Sequence, residues 1–266
     1  MQLAAFDARD NQLLAALPQE DGERWNGWLE GVELAAGQVL QEPWQPPRHA
    51  YFPLRAVVSL QIQSEDGRCD EVAIVGREGM VGVSTFMGCG APTRSVVQGA
   101  GRALRLSAAR IRAEFDASRA VSRLLLQYMM AQEAQVAQGV VCSRHHSIEQ
   151  RLCLRLLQGM DLQRDSRLKM THEELSCWLG VRRGSVTSEA LKLQKAGLIA
   201  YSRGHITILD RGGLEERACE CFMVLAAEYQ RLRGACEHAA IAPLRAAFRL
   251  LRQGEPQRGV LPAAPG

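Results

Sequence analysis

Cationic and hydroxyl side chains gather within one short segment of the sequence. The segment holds Arg182, Arg183, Ser185, Thr187 and Ser188. If it begins a helix, the backbone N–H groups at that end favour anions, and these side chains add direct contacts to phosphate oxygens. Arginine and hydroxyl groups also form hydrogen bonds with base edges. The chemistry that this segment predicts is therefore the recognition of duplex DNA.

Two short helices are expected to position this cluster. Thr171 and Glu174 have the spacing of a capping box, which predicts a first helix over residues 173–179. Gly180 can make the turn, and Gly197 can end a second helix near Lys195. Two helices that cross at such a turn form a helix-turn-helix. Thr171, at the start of the first helix, is a further candidate for DNA contact.

A β-hairpin is predicted after the second helix. Residues 198–201 and 205–209 alternate apolar and polar side chains around a tight turn at Ser202-Arg203-Gly204. Arg203 at the tip is expected to contact the DNA backbone beside the groove. A helical pair and a hairpin also occur in enzymes, and that alternative stays open. The order of cap, turn glycine, basic helix start and hairpin favours a winged helix-turn-helix.

A long helix is predicted over residues 118–142. Its apolar and glutamine positions alternate steps of three and four, which is the spacing of a coiled-coil seam. The candidate interface residues are Val121, Leu124, Leu125, Tyr128 and Gln135. Glutamine is costly to bury alone and can pair with a symmetry-related copy, which favours a homodimer. The alternative is one amphipathic helix that packs on its own domain.

The region between residues 50 and 106 has a β pattern. Short runs rich in β-branched residues recur between glycines, which predicts an antiparallel β-barrel or jelly roll. With the helices that follow, the fold class is α+β: an N-terminal antiparallel β domain, a long dimerisation helix and a C-terminal winged helix-turn-helix.

Composition and charge argue against several other classes of protein. The chain has 266 residues and a net charge of +3, so local clustering must supply any DNA-binding surface. Its apolar runs are too short to cross a bilayer, and the N-terminus has no signal-peptide pattern, so we expect a cytoplasmic protein without a membrane partner. Catalytic side chains do not occur at favourable spacings, so we expect neither enzymatic activity nor a cofactor.

The cysteines are predicted to be structural, and no metal site is expected. Eight occur in the chain, but they do not form two CxxC pairs at zinc-ribbon spacing. In a reducing compartment such residues are mostly small buried apolar side chains. Two alternatives stay open: a metal or redox role for Cys219, Cys221 and Cys236, and a metal or pH-sensing role for His145 and His146.

Over residues 50–210 the sequence resembles the Crp/Fnr family of bacterial regulators, most closely from Leu168 to Ile208. The resemblance implies a cyclic-nucleotide-binding-like sensory domain at 1–117, a dimerisation helix at 118–144 and a winged helix-turn-helix domain with an added C-terminal helix at 145–234. A C-terminal extension at 235–266, partly disordered, completes the expected division. The implied function is sequence-specific DNA binding as a homodimer on a near-palindromic operator, with RNA polymerase as a further partner.

The DNA-contacting positions depart from the best-known family pattern. Members that read the best-known operator carry an Arg-Glu pair and a second Arg four residues after that Glu. The matching positions here are Arg183, Gly184 and Ser188, so only the first residue is kept. We therefore expect a different operator, since an acceptor for cytosine and one guanine-reading arginine are missing.

The sensory positions depart as well. Cyclic-nucleotide binders of the family carry a Glu that holds the ribose, and Val83 occupies its place here. The Arg-Ser pair that grips the phosphate is present as Arg94 and Ser95. We therefore expect a small-molecule site at Gly82, Arg94 and Ser95 for an effector other than cyclic AMP, or an ion-paired Arg94 with no such role. The oxygen-sensing branch needs an N-terminal cysteine cluster, and here the first cysteine is Cys69.

An alternative function stays open on the sequence alone. A ligand-binding module with C-terminal helices could control a partner protein rather than DNA. Steep salt dependence of duplex binding separates the two, because phosphate contacts release counterions.

Overall fold

The computed structural model describes residues 7–65 and 69–232 of the chain. The expected extension at 235–266, which includes Cys236, lies outside the described residues. Within them the chain combines helices with antiparallel sheets. The predicted α+β class is confirmed.

Seven strands form two sheets in the described N-terminal part. They are β1 (Glu30–Leu34), β2 (Val39–Gln41), β3 (His49–Pro53), β4 (Val57–Gln63), β5 (Cys69–Val75), β6 (Arg94–Gly99) and β7 (Gly101–Ser107). One sheet has the order β1-β7-β3, and the other has the order β2-β6-β4-β5. Side chains of both sheets, such as Val58, Val75 and Ala103, share one buried core. This arrangement confirms a jelly-roll-like antiparallel β domain.

Five helices accompany this domain or lead away from it. They are α1 (Gln12–Ala15), α2 (Gln19–Asn26), α3 (Ala108–Ala117), α4 (Arg119–His145) and α5 (Ile148–Gln163). The Ser118 side chain caps α4 by accepting a hydrogen bond from the Val121 N–H. With no proline and a single glycine, α4 continues over 27 residues. The predicted long helix is confirmed.

The face of α4 that was predicted to pair with a second copy is covered by the protein's own core. The buried residues are Val121, Leu124, Leu125, Tyr128 and Gln135. The Tyr128 hydroxyl donates a 2.9 Å hydrogen bond to the Met80 carbonyl. The Gln135 Oε1 accepts one of 3.1 Å from the Ile74 N–H, so this glutamine is satisfied within its own chain. The prediction that these five residues contact a second copy is therefore corrected: they contact the protein's own core. Their spacing in the sequence could not decide this, because it suits either a core or a partner helix.

The described C-terminal part forms a second unit of helices and one small sheet. Its elements after α5 are β8 (Arg167–Lys169), α6 (His172–Leu179), α7 (Arg183–Lys195), β9 (Ile199–Ser202), β10 (His205–Ile208), α8 (Arg211–Arg217) and α9 (Cys221–Arg231). The sheet order is β8-β10-β9. Leu156, Leu175, Val186, Leu193 and Ile206 lie in the core of this unit. Among the described helices, none is long and apolar enough to cross a bilayer.

A buried ion pair joins the two units. Arg155 on α5 lies with its Nη2 2.9 Å from a carboxylate oxygen of Glu71 on β5. The same guanidinium donates a hydrogen bond to Gln98 on β6 and lies 5.2 Å from the ring centroid of Trp178 on α6. Burial raises the pKa of Glu71, and the charge of Arg155 opposes that shift. One arginine thus contacts both the β domain and the helix-turn-helix unit.

Candidate nucleic-acid interface

Helix α6 begins with the predicted capping box. Thr171 Oγ1 accepts a 3.2 Å hydrogen bond from the Glu174 N–H, and Glu174 Oε2 accepts one of 2.7 Å from the Thr171 N–H. Gly180 follows the helix in the left-handed conformation, with φ of 63°, which glycine adopts without strain. The Val181 N–H then donates to the Ser176 carbonyl. The chain therefore turns at once into α7, as a helix-turn-helix requires.

The start of α7 is open to solvent. Arg182, Arg183 and Ser188 are exposed, and Ser185 and Thr187 are half-buried. Within the described residues, the Arg182 side chain at the cap position forms no capping hydrogen bond. Free backbone N–H groups and two guanidinium groups therefore lie at the same helix end, where they suit phosphate oxygens and base edges.

Thr187 and His172 connect α7 to its neighbours. The Thr187 hydroxyl lies 3.0 Å from His172 Nδ1 and also donates a 3.0 Å hydrogen bond to the Arg183 carbonyl. The His172 ring stacks on Tyr201 of β9, with 4.2 Å between the ring centroids. Burial, and then the charge of Arg183, lower the pKa of His172, which favours its neutral form. The Thr187 hydroxyl, a candidate for DNA contact, is thus also hydrogen-bonded within the protein.

Strands β9 and β10 form the predicted hairpin. Ser202 pairs with His205, which leaves Arg203 and Gly204 as a two-residue turn. Their φ angles are 47° and 80°, as in the type I′ turns that match the twist of paired strands. Arg203 is exposed at the tip. Strand β8 adds Lys169 opposite His205, an exposed cation that the sequence pattern did not mark.

The three residues proposed for ligand binding do not share one surface. Gly82 and Ser95 line a cleft of about 240 Å³ between the β domain and α4, together with Glu133. Arg94 forms an ion pair with Glu42 instead, with 3.1 Å between Nε and Oε2. This ion pair agrees with the alternative in which Arg94 is ion-paired and has no role in ligand binding.

The comparison with protein families identifies the segment that holds α6, α7 and the hairpin. Residues 150–217 match the model of the Crp-like helix-turn-helix domain. No curated protein sequence is significantly similar to the chain.

Solved structures show the same fold over most of the chain. FixK2 from Bradyrhizobium japonicum is 14% identical, with a TM-score of 0.62, and the match covers 72% of this chain and 98% of FixK2. A Crp/Fnr-family regulator from Thermus thermophilus is 23% identical, with a TM-score of 0.58 and coverage of 71% and 98%. A protein assigned to the same family from Eubacterium rectale is 19% identical, with a TM-score of 0.60 and coverage of 79% and 98%. Residues 150–217 are therefore a Crp-like helix-turn-helix domain, in a chain that has the fold of the Crp/Fnr transcriptional regulators.

Proposed function

We propose that the protein is a transcriptional regulator that binds a near-palindromic operator as a homodimer. The observation that carries this proposal is the exposed pair Arg182-Arg183 at the start of α7, beside a hairpin with Arg203 at its tip. In helix-turn-helix proteins the second helix enters the major groove, and neighbouring elements contact the DNA backbone. RNA polymerase is a further partner under this proposal.

The proposed contacts divide by chemistry. Arg183 is the candidate for a bidentate hydrogen bond to guanine, which is the commonest specific contact in the major groove. Arg182, Arg203 and Thr171 are the candidates for phosphate contacts, which fix the register of the protein on the duplex. Ser185, Thr187 and Ser188 add hydroxyls along the first two turns of α7.

The exposed face of α4 supports pairing with a second copy. Leu126, Met130, Ala137 and Val140 are exposed and fall on steps of three, four and seven residues. Met130 is 63% and Val140 is 56% exposed. Exposed apolar stripes mark partner surfaces, and a stripe at this spacing fits the same stripe of an identical helix. Under this proposal, 118–144 joins a sensory domain at 1–117 to a DNA-binding domain at 145–234.

Replacing Arg183 by alanine is expected to weaken specific binding by about 1–3 kcal/mol, because a base contact is lost. Fluorescence anisotropy at one fixed salt concentration measures the effect on an operator duplex and on a scrambled duplex. Arg203→Ala should weaken binding to both duplexes alike, since a phosphate contact carries no base information. Arg105→Ala, on the distant β domain, is the charge-matched control. Unchanged operator affinity in Arg183→Ala would contradict the placement of α7.

Cyclic AMP is expected neither to bind tightly nor to be required for DNA binding. The cleft offers Val83 where the related nucleotide binders have a carboxylate, and the nearby Arg94 is paired with Glu42. An unpaired ribose hydroxyl costs on the order of 1–3 kcal/mol, which weakens micromolar affinity about ten- to a hundred-fold. Calorimetric titration of wild type and Arg94→Ala with cyclic AMP and cyclic GMP measures this. Micromolar binding that Arg94→Ala abolishes would overturn the prediction.

A further inference from the structure

Four potential metal ligands converge where the end of α4 meets the start of α9. They are Cys142 and His146 near the end of α4, and Cys219 and Cys221 in and after the α8–α9 connection. Their four ligand atoms all lie within 4.8 Å of one another. Cys142, Cys219 and Cys221 are buried, and His146 is half-buried.

The local sequence explains why the four side chains meet. Cys142 lies in the last turn of α4, and His146 is the extended residue that directly follows the helix. The His146 N–H donates a 3.1 Å hydrogen bond to the Cys142 carbonyl, which holds the two residues together at the helix end. Cys219 and Cys221 flank Glu220, which directly precedes α9. Because α9 packs along α4, its first turn brings the second pair to the first. The two pairs are far apart in the sequence: His146 and Cys221, for example, are separated by 75 residues.

The distances within the cluster suit one tetrahedral ion. The Sγ atoms of Cys142 and Cys219 are 3.6 Å apart, and Cys221 Sγ is 3.4 Å from His146 Nδ1. Zinc bonds of about 2.3 Å to sulfur and about 2.0–2.1 Å to nitrogen place tetrahedral ligands about 3.8 Å (S to S) and about 3.5 Å (S to N) apart. An iron–sulfur cluster divides its four protein ligands between two or more iron atoms, so the full set is spread more widely.

Neighbouring side chains support the same assignment. The other ring nitrogen of His146, Nε2, lies 3.1 Å from a carboxylate oxygen of Glu220. A carboxylate in this position is the usual orienting partner of a metal-bound histidine. The Gln138 side chain donates a 3.0 Å hydrogen bond to Cys221 Sγ, as an amide would to a thiolate. Both contacts fix ligand atoms in the positions that a metal ion needs.

We propose that Cys142, His146, Cys219 and Cys221 bind one Zn²⁺ ion. Three thiolates and one imidazole form a closed, four-ligand site, which is the pattern of structural rather than catalytic zinc. The ion fastens the connection between α8 and α9 to the end of α4. It thereby holds the helix that follows the winged helix-turn-helix against the long helix.

Metal analysis of the full-length protein, purified anaerobically under reducing conditions, tests the proposal. We expect one zinc per chain in the wild type, and most of it to be lost in Cys221→Ser and in His146→Ala. Two matched controls, Cys89→Ser and His145→Ala, change exposed residues outside the cluster and should keep the metal. Equal zinc content in the ligand variants and the controls would overturn the assignment.

A second measurement needs no variant and covers the case in which a ligand variant fails to fold. Wild type stripped of zinc and titrated with Co²⁺ should show the absorption of tetrahedral Co²⁺ with thiolate charge transfer, saturating at one ion per chain. X-ray absorption of the native zinc should give three sulfur ligands and one nitrogen. Three results would overturn the proposal: no tetrahedral Co²⁺ spectrum, a disulfide between Cys142 and Cys219 in metal-free protein as isolated, or iron with acid-labile sulfide.

Discussion

Replacing Arg155 by alanine is expected to lower the free energy of unfolding by about 3–5 kcal/mol. The guanidinium is buried at the contact between the β domain and the helix-turn-helix unit, where it pairs with Glu71 at 2.9 Å. Removing it leaves a buried carboxylate with no cation, and Gln98 loses its donor as well. Urea unfolding monitored by tryptophan fluorescence and by circular dichroism measures the loss.

The pH dependence of this loss follows from Glu71. Burial already raises the pKa of Glu71 above its ordinary value of 4.5, and removing the opposing cation raises it further. A carboxyl group whose pKa is higher in the folded than in the unfolded state stabilises the fold, relative to neutral pH, only while it is protonated. This contribution to the free energy of unfolding is therefore fully present below about the ordinary pKa and is lost as the pH rises through the pKa of the folded state. The deficit of Arg155→Ala should be smallest in acid and largest at neutral pH.

A double variant separates the cost of an unpaired charge from the loss of packing. Arg155→Met with Glu71→Leu removes both charges and keeps apolar volume, so it should recover most of the stability that Arg155→Ala loses. If Arg155→Ala had the same free energy of unfolding as wild type, both at neutral pH and in acid, the role given to this ion pair would be contradicted.

Replacing Met130 by glutamate is expected to convert the proposed homodimer into monomers. Met130 belongs to the exposed stripe on α4 and is 63% exposed, so in a symmetric pair the two carboxylates would face each other without a partner. A monomer binds only one half-site of the operator. Its affinity for the operator should therefore fall on the order of 10³-fold, to a value near that of non-specific binding. Sedimentation velocity gives the assembly state, and anisotropy with the operator duplex gives the affinity.

Met87→Glu is the matched control, because Met87 is comparably exposed, at 58%, but is not part of α4. It should stay dimeric. The buried residues Leu124 and Tyr128 are unsuitable for this test, since a charge there would disrupt the protein's own core. Wild type that sediments as a monomer at micromolar concentration would count directly against the proposal.

The parts of the fold that the sequence predicted correctly depend on local chemistry. The capping box at Thr171, the left-handed turn at Gly180 and the tight hairpin at Arg203-Gly204 each lie within a few residues of chain. Short-range hydrogen bonds decide these conformations, so the residue types alone indicate them. The long helix α4 was predictable for the same reason.

The parts that the sequence could not decide depend on contacts between distant segments. The spacing around Leu124 fits a core or a partner equally well, and only the packing of the β domain decides between them. The ion pair of Arg94 with Glu42 joins positions 52 residues apart. The cluster of Cys142 with Cys219 joins positions 77 residues apart and has no spacing signature. Such sites appear only when the whole fold is known.

The most direct test of DNA recognition through α7 is the salt dependence of binding to a duplex that the protein itself selects from a random pool. We expect wild type to bind the selected duplex at least about 10³-fold more tightly than a scrambled one. We also expect the logarithm of the affinity to fall linearly with the logarithm of the salt concentration, as phosphate contacts require. Equal affinity for both duplexes, or binding that salt does not weaken, would contradict the proposal that this protein reads DNA through α7.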